Sequence, residues 1–229
     1  MTLIALIIVF GLLSYIVSNR LKSKFEKYQQ MTVCMSGAEA AQKMLHDNGI
    51  YDVTIRPTEG SLTDHYNPTD KTINLSNDVF YGRNVSAVAV AAHETGHAVQ
   101  HATAYGPLEL RTMLVPLQNV SAKILNVIFW LMLIGSFILQ GALPYTLALQ
   151  IIIAAYAIFT LFAFVTLPVE INASQRAVAW LTSAGIVGGE TREYAIDALK
   201  WAAYTYVVAA LSSLATLLYY IWQLVGRRD

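Results

Sequence analysis

The chain has 229 residues, of which 55% are hydrophobic and only 13% charged, and its formal net charge is zero. Soluble domains carry about 25% charged residues, so the composition favours an integral membrane protein with the lipid bilayer as a partner. The zero net charge argues against nucleic acid as a partner, because no basic field is available to neutralise phosphates. The single cysteine, Cys34, cannot form an internal disulfide and is predicted to be a packed side chain.

Four stretches of the chain approach the 20 or so apolar residues that cross a hydrocarbon core. They lie near residues 2–18, at 124–143, at 147–167 and at about 204–225. The first lacks a basic segment before it and a cleavage site, so it is predicted to stay as an anchor. Only residues 144–146 separate the second stretch from the third, which predicts a tight transmembrane hairpin.

Basic residues predict the orientation of these spans, since lysine and arginine concentrate on the cytoplasmic side. Four of them directly follow the first span, nothing basic precedes it, and the hairpin loop has no charge. The segments 20–122 and 169–203 are therefore predicted to lie in the cytoplasm. Arg227 and Arg228 then fall outside, against the rule. Either the four basic residues after the first span outweigh them, which we favour, or the fourth stretch does not cross the membrane fully. The four basic residues are Arg20, Lys22, Lys24 and Lys27.

The segment after the first span is polar enough to fold in water, and it begins with a predicted helix over residues 36–50. Ser36 followed by Glu39 predicts a capping box at the start of this helix, and Gly49 can end it. Residues 51–57 then alternate and contain β-branched side chains, which predicts a strand.

Two further strands, at 61–67 and 71–76, are predicted to form a hairpin around the turn residues 68–70. We expect the second of these strands to lie at the edge of the sheet, where it could pair with an extended substrate. A strand with only a structural role is the alternative.

The next predicted helix is VSAVAVAAHETGHAVQHATA, capped by Asn84 or Ser86 and stopped by Gly106-Pro107. A further helix leads towards the second span, and Pro116 is predicted to kink or break it.

The first of these helices carries His93 and His97, which lie on one face because they are four residues apart. With Glu94 they form H-E-x-x-H, the pattern of two zinc ligands and a general base. Zinc lowers the pKa of a water ligand towards about 7, and Glu94 can accept its proton and pass it to the leaving amine. The alternative is a chance match on a structural helix.

A catalytic zinc site needs a third protein ligand. His101 lies about 12 Å along the helix from His93, at 1.5 Å per residue, which is too far for one ion. It is predicted to lie beside the site or at an interface. The extended motif H-E-x-x-H-x-x-G-x-x-H, which supplies a third histidine ligand, is excluded. Gln100 stands at its glycine position and Thr103 at its last histidine position.

Glu170 is the predicted third ligand, because a charge beside a membrane helix is expensive and tends to be functional. It follows Pro168, after which a new helix is predicted to begin, on the same predicted side as the motif. The alternative is that Glu170 only marks the membrane interface or favours a helix N-terminus.

A family resemblance follows from these motifs. HETGH followed by E-x-x-A-S, which ends on Ser174, resembles the membrane zinc peptidases of the HtpX and CAAX prenyl endopeptidase families. Those families have H-E-x-x-H and then E-x-x-A-D, with that glutamate as third ligand. The runs TINLSNDVFYGRNVSAVAVAAHETGHAVQHA, LVPLQN and LPVEINASQRA resemble the bacterial YugP-like family of membrane zinc metallopeptidases over residues 30–201.

The resemblance implies a gluzincin-like α+β core that binds one zinc ion per chain and hydrolyses polypeptides in or beside the membrane. Ser174 departs from the HtpX and CAAX pattern, whose aspartate orients a ligand histidine. A hydroxyl can accept a hydrogen bond from an imidazole N–H but carries no charge, so Ser174 is predicted to hold that histidine less strongly.

The predicted fold is therefore a mostly α integral membrane protein with about four transmembrane helices and a small sheet. Its predicted location is the plasma membrane of the bacterial inner-membrane type. The rival function is a non-enzymatic zinc-stabilised scaffold or inactive homologue, and no oligomeric state is predicted. The chain is predicted to have five parts. They are an anchor (1–19), a cytoplasmic peptidase domain (20–122), a transmembrane hairpin (123–168), a cytoplasmic segment with the third ligand (169–203) and a last span (204–229).

The group that stabilises the transition-state oxyanion is left open, because sequence spacing does not choose among several candidates. These are Arg176, Arg192, Tyr194 and His101.

Overall fold

The computed structural model describes residues 2–135 and 144–226. These residues are mostly helical and include one small three-stranded sheet. The elements in chain order are α1 (Leu3–Gln29), α2 (Gly37–Asp47), β1 (Thr54–Thr58), β2 (His65–Asn67), β3 (Thr72–Ser76), α3 (Asn77–Phe80), α4 (Val85–Ala102), α5 (Gly106–Gly135), α6 (Tyr145–Ser183) and α7 (Glu190–Val225).

The chain divides into two compact units. One comprises Met1–Ser14, Leu110–Thr166 and Tyr206–Asp229, and the part of it that the structure describes is helical. The other, which we call the sheet unit, comprises Tyr15–Glu109 and Leu167–Thr205. A buried apolar cluster fills the sheet unit and includes Met44, Leu45, Ile73, Leu75 and Leu181.

The predicted helix caps of the sheet unit are confirmed. Ser36 precedes α2, its side chain accepts from the Glu39 amide, and the Glu39 carboxylate accepts from the Ser36 amide. Asn84 rather than Ser86 caps α4, by accepting a hydrogen bond from the Ala87 amide. These caps form because a short polar side chain can satisfy a first-turn N–H that has no partner inside the helix.

The sheet has the strand order β1-β3-β2. The predicted hairpin is confirmed, since β2 pairs antiparallel with β3, while β1 pairs with β3 in parallel. The prediction that β3 lies at the edge is wrong, because it is the central strand with a neighbour on each side. Four of its five residues are buried, so the core draws this apolar strand to the middle of the sheet.

Two prolines are predicted to interrupt helices, and neither of them does. α6 is one helix through Pro168, so the expectation of a new helix after this residue is wrong. α5 likewise continues through Pro116 without a break. A proline inside a helix costs about 3 kcal/mol or more. After Pro168 the helix is held by Val169, Ala173 and Ala177, which are completely buried.

The boundary between α4 and α5 also differs from the prediction. α4 ends at Ala102, and Ala104 has the positive backbone angle φ of 48° that turns the chain. Gly106 and Pro107 do not stop α4 but form the first turn of α5. A proline is tolerated there because a first-turn N–H has no helical partner. Cys34 is exposed, so its predicted packed position is wrong.

Among the described residues, four helices are long and apolar enough to cross a membrane, namely α1, α5 from Gly106 to Leu131, α6 and α7. Large apolar side chains stand exposed along them, with Ile4 at 69%, Met113 at 75% and Trp222 at 61% exposure. These helices correspond to the four predicted spans. The last part of the second predicted span, residues 136–143, lies outside the described residues, as do Arg227 and Arg228.

Candidate metal centre

Helix α4 brings the H-E-x-x-H residues against α6 inside the sheet unit. The approach is close at Gly96, where a Cβ atom would lie 2.8 Å from the Ala173 carbonyl oxygen. Glycine is therefore required at this position of HETGH by the separation of two helix backbones. The same approach places His93 and His97 opposite Glu170.

Three side-chain atoms meet at this contact. Nε2 of His93 lies 3.2 Å from Oε2 of Glu170, and Nε2 of His97 lies 3.6 Å from the same oxygen. The ligand atoms of all three residues lie within 4.8 Å of one another. His97 and Glu170 are buried, and His93 is nearly so. The structure thus brings together the three residues that the sequence singles out as ligands.

The other ring nitrogen of each histidine has a partner of its own. Nδ1 of His93 is 3.1 Å from the Ser174 hydroxyl, and Nδ1 of His97 is 3.0 Å from Oε1 of Gln100. Each ring therefore turns its Nε2 towards Glu170. Ser174 lies where the E-x-x-A-S resemblance expects it, whereas Gln100 is not among the candidate residues of the sequence analysis.

The Glu94 carboxylate is oriented by the sheet. Its Oε2 accepts a hydrogen bond of 3.1 Å from the Tyr66 amide on strand β2. Asp64 lies just before this strand and accepts from the amide and hydroxyl of Ser76. Burial raises the pKa of Asp64, and the negative charge of Glu94 raises it further. These two effects outweigh the hydrogen bonds from Ser76, which lower it. A loop and an edge strand thus form one wall beside Glu94.

The charge of the site favours a cation. Burial by itself lowers the pKa of His97, but its hydrogen bond to Glu170 and the charges of Glu94 and Glu170 outweigh burial. The pKa of His97 is therefore raised above its ordinary value of 6.5. Carboxylates that stabilise an imidazolium in this way stabilise a metal cation by the same attraction.

His101 lies apart from the three converging atoms, as the spacing predicts. Its Nδ1 is 2.8 Å from the Tyr66 hydroxyl, and the two rings lie with their centroids 5.9 Å apart. His101 therefore contacts the strand that orients Glu94. It is exposed, in contrast to His97 one turn earlier.

Three other carboxylates, which follow Glu170 in the sequence and could also be considered as metal ligands, have contacts elsewhere. Glu190 accepts from the Tyr194 hydroxyl, Glu193 pairs with Arg192, and Asp197 pairs with Lys24. These contacts also occupy two candidates for oxyanion stabilisation, Tyr194 and Arg192. Arg176, the third candidate, donates through Nε to Oδ1 of Asn172.

The donor set fits zinc. Two unprotonated imidazole nitrogens and one carboxylate oxygen are common ligands of a catalytic zinc ion. For ligand bonds of about 2.0–2.1 Å in a tetrahedral site, neighbouring donor atoms are about 3.3 Å apart. The two separations from Glu170, 3.2 and 3.6 Å, are close to this value.

Comparison with known proteins places the chain in a family. The family described as "Putative neutral zinc metallopeptidase" matches residues 3–225, which is nearly the whole chain. The chain belongs to this family. The match includes all three converging residues, and it suggests zinc as the metal.

A curated relative agrees with the family. The chain is 41% identical over 220 residues to the "Putative membrane protease YugP" of Bacillus subtilis (strain 168). The matched region covers 95% of this chain and 94% of that protein. The predicted resemblance to the YugP-like family is confirmed. No solved structure matches the chain.

Proposed function

We propose that this member of the zinc metallopeptidase family is a multi-pass membrane endopeptidase with a gluzincin-like site. His93, His97 and Glu170 hold one zinc ion per chain, and Glu94 is the general base. The substrates are polypeptides in or beside the membrane. The observation that supports this most directly is the convergence of Nε2 of both histidines on Oε2 of Glu170, with both Nδ1 atoms engaged elsewhere.

The chain's own residues divide the work of peptide hydrolysis. When bound, zinc supplies a Lewis acid that polarises a carbonyl and acidifies water. Glu94 accepts a proton from the attacking water and returns it to the leaving amine. The Tyr66 amide holds the Glu94 carboxylate in one orientation, so the carboxylate does not have to reorient in each turnover.

The side of the membrane is part of the proposal. Lipid would cover the exposed apolar side chains of α1, α5, α6 and α7. These side chains suit the hydrocarbon core of a bilayer, which offers apolar contacts and no hydrogen-bond partners. The site belongs to the sheet unit, which begins at the basic end of α1. We infer that this unit and its site face the cytoplasm, because lysine and arginine are retained on that side.

One experiment tests the ligands and the base together: bound zinc and casein cleavage are measured in the purified wild type, Glu170→Gln and Glu94→Gln. Glu170→Gln should lose most of its zinc, because a neutral amide replaces the anionic ligand. Glu94→Gln should keep about one zinc per chain and lose cleavage, since it removes only the base.

The alternative results are equally informative. Zinc retained by Glu170→Gln would make this residue structural and overturn the three-ligand site. Unchanged cleavage by Glu94→Gln would overturn the mechanism. Wild-type protein that holds no zinc after purification would favour the rival, a membrane scaffold without enzymatic activity.

A further inference from the structure

A continuous chain of hydrogen bonds runs from α6 to the ring of His97. Arg176 donates through Nε to Oδ1 of Asn172 over 2.7 Å. Nε2 of Gln100 donates to the same Oδ1 over 3.0 Å and to the Val169 carbonyl over 2.8 Å. Oε1 of Gln100 then lies 3.0 Å from Nδ1 of His97. Gln100, in the middle of this chain, is completely buried.

The direction of every bond in this chain follows from its two ends. A guanidinium only donates, so the Asn172 atom that faces Arg176 is its oxygen. A backbone carbonyl only accepts, so the Gln100 atom that faces Val169 is its nitrogen. The remaining Gln100 oxygen faces His97 and can only accept. Nδ1 of His97 must therefore carry a proton, and in the neutral ring Nε2 presents a lone pair.

His93 lacks a contact of this kind. Its Nδ1 faces the Ser174 hydroxyl, which can either donate or accept by rotation. The hydroxyl holds the ring in place without choosing the tautomer. The two ligand histidines therefore differ, and only His97 has its tautomer determined by a chain that ends on a permanent charge.

We propose that Gln100, Asn172 and Arg176 are positioning residues that keep His97 in the tautomer whose Nε2 can bind zinc. This inference rests on the proposed function, in which His97 is a ligand. A ligand histidine with the wrong tautomer would present N–H to the metal and would have to rearrange before binding.

The same amide also positions the third ligand. Gln100 lies on α4, whereas Val169 and Asn172, which accept from it, lie on α6 on either side of Glu170. One buried side chain thus couples the orientation of His97 to the placement of Glu170. An amide suits this role because it accepts on one side and donates twice on the other.

The first test compares Asn172→Asp with Asn172→Leu in the full-length protein. Aspartate keeps the acceptor for Arg176 and Gln100, whereas leucine removes it at similar size. Zinc affinity is measured by competition with a chelator. Asn172→Leu should bind zinc about 10-fold more weakly or worse, which is the usual effect of losing such a partner, and Asn172→Asp should stay near the wild type.

The matched control is Gln175→Leu, an amide-to-leucine change at an exposed position of the same helix. It should leave zinc affinity unchanged. Wild-type affinity in Asn172→Leu, or an equal loss in Asn172→Asp and Asn172→Leu, would overturn the inference. If Asn172→Leu does not fold, Arg176→Met provides the test, with a smaller loss expected because its site is partly exposed.

The second test reads the tautomer directly, without zinc. The chain has only five histidines, so ¹⁵N NMR of labelled metal-free protein can resolve their rings above the raised pKa of His97. The His97 signal, assigned by its loss in His97→Gln, should show a protonated Nδ1 in the wild type and a mixture in Asn172→Leu or Arg176→Met. A protonated Nε2 in the wild type would overturn the proposal.

These two tests separate two kinds of failure. If the wild type binds no zinc but shows the expected tautomer, the proposed function fails while the hydrogen-bonded chain stands. If the wild type binds zinc and its tautomer is unaffected by Asn172→Leu and Arg176→Met, the positioning role fails alone.

Discussion

Ser174 is the single residue at which this chain departs from the E-x-x-A-D pattern of the HtpX and CAAX families. Its hydroxyl lies 3.1 Å from Nδ1 of His93, the position from which an acid would orient that ring. A neutral hydroxyl makes a weaker hydrogen bond to a ligand histidine than a carboxylate does, because a charged acceptor roughly doubles the bond strength. The proposed zinc site therefore has scope for tighter zinc binding.

A pair of substitutions at Ser174 should shift zinc affinity in opposite directions. Ser174→Ala removes the partner of Nδ1 and should weaken zinc binding about 10-fold, as is usual for such contacts. Ser174→Asp should strengthen it, since a carboxylate raises the basicity of the imidazole. Chelator competition measures both. Ser183→Ala, at an exposed position of α6, is the control, and equal affinities in all four proteins would contradict the role of Ser174.

At the scale of secondary-structure elements, the contact between α4 and α6 sets the site. Gly96 allows the two backbones to meet at Ala173, which lies between Glu170 and Ser174 on the sequence of α6. Any side chain at position 96 would push apart the helix with the two histidines and the helix with Glu170. Small residues permit such close helix packing in general.

Gly96→Ala should therefore reduce both stability and zinc binding. The added Cβ would lie 2.8 Å from a backbone oxygen, which cannot move without shifting α6. Overpacking of this kind typically costs about 1–3 kcal/mol, and we expect a lower thermal midpoint together with weaker zinc binding. Gly106→Ala is the control, because a Cβ there meets nothing within 4 Å. A Gly96→Ala protein that matches the wild type would contradict this close approach.

At the scale of the whole molecule, the distribution of basic residues bears on which side of the membrane carries the sheet unit. The four basic residues that follow the first predicted span predict the cytoplasmic side. The chain offers its own probe, because Cys34 is its single cysteine and is exposed just after α1. Labelling of this one thiol can therefore report the membrane topology of the protein without any added cysteine.

We expect a membrane-impermeant maleimide to label Cys34 in inside-out vesicles but not in intact cells. The reason is that the sheet unit, to which Cys34 belongs, faces the cytoplasm in the proposed topology. Mass spectrometry of the purified protein measures the added label, and Cys34→Ser provides the background. Rapid labelling in intact cells would place the sheet unit outside and reverse the orientation of all the spans.

The features that the sequence predicts correctly are those whose physical cause is local. The capping box of Ser36 and Glu39, the Asn84 cap and the facing pair His93 and His97 all depend on residues within four positions of one another. The predictions of a new helix after Pro168 and of an edge position for β3 are wrong. In both places burial in the core has the larger effect: it offsets the cost of a proline inside a helix, and it places an apolar strand in the middle of the sheet.

Sequence alone predicts the four apolar helices, the helix that carries HETGH and the small set of residues proposed to bind a metal. Hydropathy, helical period and donor chemistry are properties of the chain itself. The groups that orient these residues are visible only in the tertiary contacts. Tyr66 reaches Glu94 across 28 residues, Gln100 reaches Val169 across 69, and Ser174 reaches His93 across 81. No local pattern encodes such contacts, because they arise when separate helices and a strand share one core.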